Sequence, residues 1–195
     1  HSGGRMTEPV THNCQHPQLI SLPTALIQPG VNALDLKVAG QALTHVASAQ
    51  RAGALSTLQI GPQDLLETQH ARQLALNVSV PQAVSATLLL MGGFMFVLGW
   101  INRRESHLAY FGALSVGWAI VEARSWLRDL PLDHASAELL QAAMAPLLTL
   151  AGVQFLLRYA GIRRRWVGIA LLLQCVVMPA TLWLAGPERL FAATG

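Results

Sequence analysis

The chain has 195 residues, of which 52% are hydrophobic and only 12% charged, where an ordinary soluble domain carries roughly 25% charged residues. Its formal net charge is +3 and its mean hydropathy is positive, at +0.41. These figures exclude a disordered or collagen-like chain and argue against an ordinary soluble enzyme. Nucleic acid is not an expected partner, because the arginines adjoin apolar runs and form no basic face. Residues 1–80 hold eight of the 23 Asp, Glu, Lys and Arg residues, and residues 81–195 hold fifteen, bunched between uncharged runs. That layout predicts a soluble segment followed by a membrane domain.

The soluble segment, residues 1–62, reads as the end of a β-domain. Residues 18–22 (QLISL), 32–40 (NALDLKVAG) and 54–61 (ALSTLQIG) are strand candidates. In the second, Leu34, Leu36 and Val38 alternate with Asp35 and Lys37, the period of a half-buried strand. Pro29 and Gly30 mark the turn before it, and residues 42–52 read as a loop or short helix. Near the start, His12, Cys14 and His16 share one face if the backbone is extended, a weak candidate for zinc or copper. Residues 63–80 form a connector with helical spacing at Leu65, Leu66, Leu74 and Leu76.

Four apolar runs follow, at about residues 81–101, 107–127, 137–158 and 166–187. The first, third and fourth have about 20 uncharged residues each, enough to cross a bilayer. The second is weaker, since it crosses only if it continues through Glu122 to Leu127. Pro81 suits a first helical position, Pro146 and Pro179 predict kinks, and Gly92 and Gly93 permit close helix packing. Cys14 and Cys175 would lie too far apart to bond.

Orientation follows from arginine. Arg103 and Arg104 lie between runs one and two; Arg158, Arg163, Arg164 and Arg165 lie between runs three and four. Four crossings place both loops on the cytoplasmic side and residues 1–80 outside. Trp100, Tyr110, Tyr159 and Trp166 then mark the inner interface, and Trp126 and Trp183 the outer. No signal peptide follows His1 or Met6. The expectation is a fragment of a longer protein, with residues 188–195 beginning an outer loop.

Within the second run, Trp118, Glu122 and Trp126 are spaced at one turn on roughly one face and are the candidates for ligand binding or helix coupling. An intramembrane carboxylate is often functional; a hydrated interfacial Glu122 beside Arg124 and Arg128 is the plainer reading. The sequence contains no phosphate loop, HExxH, CxxC or GxSxG signature, and no internal repeat of a transporter type.

Residues 22–40 (LPTALIQPGVNALDLKVAG), 51–62 (RAGALSTLQIGP), 99–120 (GWINRRESHLAYFGALSVGWAI) and 154–166 (QFLLRYAGIRRRW) resemble the seven-transmembrane receptors with diverse intracellular signalling modules, on their histidine-kinase branch. The resemblance implies a bacterial inner-membrane sensor. A periplasmic jelly roll, similar to galactose-binding domains, would precede four of seven helices. It further implies a homodimer, a small-molecule or carbohydrate-like ligand, and a cytoplasmic kinase that uses ATP and Mg and signals to a response regulator. A diguanylate cyclase output on the same sensor is the alternative within the class; a membrane transporter or enzyme fragment is the alternative outside it.

Overall fold

The computed structural model describes residues 11, 13, 15–46, 52, 53, 55–128, 132–162 and 164–186. Four helices carry the fold: α1 over Gln63–Ile101, α2 over Ser106–Trp126, α3 over His134–Tyr159 and α4 over Arg165–Ala185. Each packs principally on its neighbours in the chain, antiparallel, so the four form an open row in which α2 lies between α1 and α3.

Helix α1 is continuous for 39 residues, about 58 Å at 1.5 Å per residue. Pro81 does not begin it. Proline inside a helix removes one backbone bond and its ring presses on the preceding turn. Here the turn before it widens into a π segment, Ala75–Ser79, where the Val80 N–H reaches back five residues to Ala75 O. The helix absorbs the proline without ending. Helix α3 begins at a cap that the sequence dictates. The Asp133 carboxylate accepts from the Ser136 N–H at 3.2 Å, satisfying one of the amides that a first turn leaves open. These bonds to Ser136 hold the Asp133 carboxyl below the usual carboxylate range.

The contact between α1 and α2 is made by small residues. Ser85, Gly92 and Gly99 recur every seven residues along α1 and are buried. Gly92 meets Gly112 and Ser115 of α2, and Gly99 meets Ala109. A Cβ at Gly92 would lie 2.8 Å from Ser115 Cβ, and at Gly99 or Gly112 it would collide with the backbone of Ala109 or Phe96. The two backbones therefore approach as closely as glycine allows. Gly93 takes no part, because nothing lies within 4 Å of its would-be Cβ. Farther along the row, Leu148 of α3 covers Gly117, and Cys175 Sγ of α4 donates to Pro146 O of α3 at 3.3 Å. Pro146 and Pro179 both lie inside unbroken helices.

Two further expectations are overturned. Among the described residues there is no strand, so residues 18–40 and 55–62 form no jelly roll. Leu34, Leu36 and Val38 are 47–54% exposed. Alternation marks a residue as fit for a half-buried strand, but a strand exists only when a neighbour accepts its hydrogen bonds and covers its apolar face. Here Gln41 N–H donates to Ala52 O at 2.7 Å and no ladder grows from that bond. What forms instead is local. Short 3-10 turns occupy Thr24–Leu26 and Leu43–His45, and the Asn32 side chain closes the Pro29–Gly30 turn by bonds to Gln28 N and O, both 2.9 Å.

The second correction concerns the spans. Among the described residues three helices, not four, are long and apolar enough to cross a membrane: α1, α3 and α4. Helix α2 is long enough, at about 31 Å, but His107, Glu122 and Arg124 dilute its apolarity. The packing accounts for this composition. A helix flanked by α1 and α3 leaves less of its surface uncovered than the end helices of the row, and Arg124 finds its partners on α3.

Candidate functional site

Helix α2 ends in an ionic cluster that joins it to α3. Arg124 lies in the last turn of α2, and Glu138 and Gln141 lie about one and two turns into α3. Because a short connection joins two antiparallel helices, residues near its two ends face each other. The Arg124 guanidinium pairs with the Glu138 carboxylate through Nη2, and its Nη1 donates to Gln141 Oε1 at 2.8 Å and to Ala137 O at 3.3 Å. The Glu138 side chain is fully buried and that of Arg124 is 17% exposed. A buried charge persists only when paired and hydrogen-bonded, and this cluster supplies both conditions. Glu138 is the residue that sequence reasoning missed. It lies at the start of the third run, 137–158, where its spacing gives it no role. The signal was available in Arg124 and Glu138, opposite charges set back by similar distances from one short connection.

The three candidates on α2 do not form one site. Trp118 points outward and is 52% exposed. The Glu122 carboxylate is half-buried and accepts from Ser125 Oγ at 3.1 Å, one turn away on its own helix. Arg124 turns from it toward Glu138. Trp126 faces α1, where its Nε1 donates to Ser85 Oγ at 3.2 Å. The soluble segment attaches at the same point. His16 Nε2 donates to the Trp126 carbonyl at 2.9 Å, and His70 Nε2 on α1 donates to Pro17 O at 3.1 Å. Residues 16 and 17 are thus held between α1 and the end of α2. His12 and Cys14 lie outside the described residues. Among those described, no three His, Cys, Asp or Glu side chains are grouped to hold a metal ion.

The opposite end of the row gathers the arginines. The connection between α1 and α2 is a 3-10 turn, Arg103–Glu105, in which the Asn102 side chain accepts from the Arg104 N–H at 3.3 Å. Arg158, near the end of α3, donates to Ser106 Oγ at 2.8 Å and to Tyr110 OH at 3.2 Å, with its guanidinium 4.6 Å above the Tyr110 ring. Beneath it, Phe155 contacts His107, Phe111 and Tyr159 with ring centroids 5.4–6.4 Å apart. Arg164 and Arg165 follow at the start of α4, and Arg163 lies outside the described residues. Scans of this chain against protein-family models, curated proteins and solved structures find no match.

Proposed function

We propose that this chain is the sensor and transmembrane portion of a bacterial signal-transduction receptor, oriented with residues 11–62 in the periplasm and the arginine-rich end in the cytoplasm. The observation that carries this reading is the attachment of the soluble segment to the helices. From His16 the bonds run to Trp126 of α2 and on to Ser85 of α1. Two residues before Trp126, Arg124 holds Glu138 of α3. A change in the soluble segment therefore meets three helices at one level, which is what a relay across the membrane requires. The arginine bias supports the orientation. The sequence resemblance supports a two-component histidine kinase as the output, working as a homodimer, using ATP and Mg and passing phosphate to a response regulator.

Two experiments test it. Reporter fusions after Gly61 should be active only as periplasmic reporters, and fusions after Glu105 and Gly161 only as cytoplasmic ones. Reversed activities would refute the orientation. The coding sequence past Gly195 decides the output. A dimerisation helix with a phosphorylatable histidine and an ATP-binding domain supports the kinase, whereas a diguanylate cyclase domain or the absence of any output domain refutes it.

A further inference from the structure

The arginine-rich end carries more cationic hydrogen-bonding capacity than the described residues use. Arg103, Arg104, Arg164 and Arg165 are exposed there. The one carboxylate in the turn between α1 and α2, Glu105, lies 3.4 Å from His107 Nδ1. Arg158 engages two of its five guanidinium N–H groups, on Ser106 and Tyr110. Those two bonds and the Tyr110 ring fix its position, so the remaining donors are presented in a set direction. Ser106 is two residues from Arg104, and the Asn102 cap holds the turn that carries Arg103 and Arg104. Arg158 of α3 is thus tied to the start of α2, two residues after Arg104, so one arginine of α3 and the two arginines of the α1–α2 turn lie at the same end of the row.

We propose that this end of the row binds the phosphate headgroup of an acidic phospholipid, with Arg103, Arg104 and Arg158 as its donors. Guanidinium groups match phosphate oxygens in charge and in fork geometry. The exposed rings of Trp100, Tyr159 and Trp166, at 65–73% exposure, surround the same end. Amphipathic rings of this kind reside at headgroup depth, so they set the arginines level with lipid phosphate rather than with ions in bulk water. Arg103 lies 6.0 Å from the Trp100 ring, which ties the cation to that belt. This inference rests on membrane location alone and stands whether or not the chain is part of a receptor.

The test uses the purified chain in neutral detergent, titrated with phosphatidylglycerol or phosphatidylcholine, with retained lipid counted by native mass spectrometry. Phosphatidylglycerol should be retained in preference, and the preference should shrink as salt rises. The double variant Arg103→Gln/Arg104→Gln should weaken phosphatidylglycerol binding about 25-fold, at about fivefold for each basic residue near an anionic surface. Arg72→Gln, in the polar first part of α1, should leave it unchanged. If the double variant melts early, Arg104→Gln alone carries the test with an expected loss of about fivefold. Equal retention of the two lipids, an unchanged affinity in both arginine variants, or an equal loss in Arg72→Gln would overturn the proposal. So would displacement of the lipid by millimolar inorganic phosphate, which would assign the site to a free anion.

Discussion

Replacing Glu138 with Gln removes the charge that holds Arg124 inside the row of helices. The Glu138 side chain has no exposed surface, and Arg124 retains only 17% of its own. The guanidinium therefore cannot turn to water without shifting the end of α2. Gln141 and the Ala137 carbonyl still accept from Nη1, but neither neutralises the charge. Removing one partner of a buried pair costs about 3–5 kcal/mol, since the other is left uncompensated. For a chain of this size, with a shift of about 2–4 °C per kcal/mol, the melting midpoint should fall by roughly 6–20 °C. The double variant Arg124→Gln/Glu138→Gln removes both charges of the pair and should lose less than the two single variants together, by a coupling of about 1–3 kcal/mol. The assay is thermal unfolding of the four proteins in one detergent. If Glu138→Gln melts with the wild type, or if the two single losses simply add in the double variant, the buried pair does not organise this end of the fold.

Three further outcomes are expected. Gly99→Ala should destabilise by about 1–3 kcal/mol, the range for overpacking, because the added methyl meets the Ala109 backbone, while Gly93→Ala, which faces open space, should melt like the wild type. Trp126→Phe removes the 3.2 Å bond to Ser85 and should cost about 0.5–1.5 kcal/mol; the same substitution in a Ser85→Ala background should cost measurably less. Asp133→Ala should speed amide exchange at Ser136. Because the folded Asp133 carboxyl is held below its usual range by the bonds to Ser136, its contribution is complete at neutral pH and disappears as the pH falls through that lowered value. Wild type and Asp133→Ala should therefore converge in stability in acid.

The apolar runs were legible because a bilayer-length stretch without charge has few other uses. The placement of the arginines at one end was legible as well, since short connections force antiparallel neighbours. The strand reading failed at Leu34, Leu36 and Val38 for a specific reason: periodicity is a property of one segment, and a sheet is a property of at least two. Pro81 misled in another way. Its chemistry permits a helix start, but it also tolerates a helix interior when a wider turn precedes it, and nothing in residues 75–79 announces that turn. The Arg124–Glu138 pair was within reach, had charges been compared across the connection rather than along each run. The separation of Trp118 from Trp126 was not, because residues two turns apart share a face only approximately, and the neighbours that draw Trp126 toward Ser85 are remote in sequence.

The open row, in which each helix rests on its chain neighbours, also sets an order of events during biosynthesis. No helix waits for a distant partner, so each docks on the one made just before it, as suits a low contact order. When α2 leaves the ribosome, the groove of Ser85, Gly92 and Gly99 is already present to receive it. The helix of lower apolarity is in this way received by its predecessor. Arg124, by contrast, emerges before Glu138, and its charge has no buried partner until the first turns of α3 are made. Translation that slows between residues 124 and 138 would prolong the stage at which Arg124 lacks its buried partner.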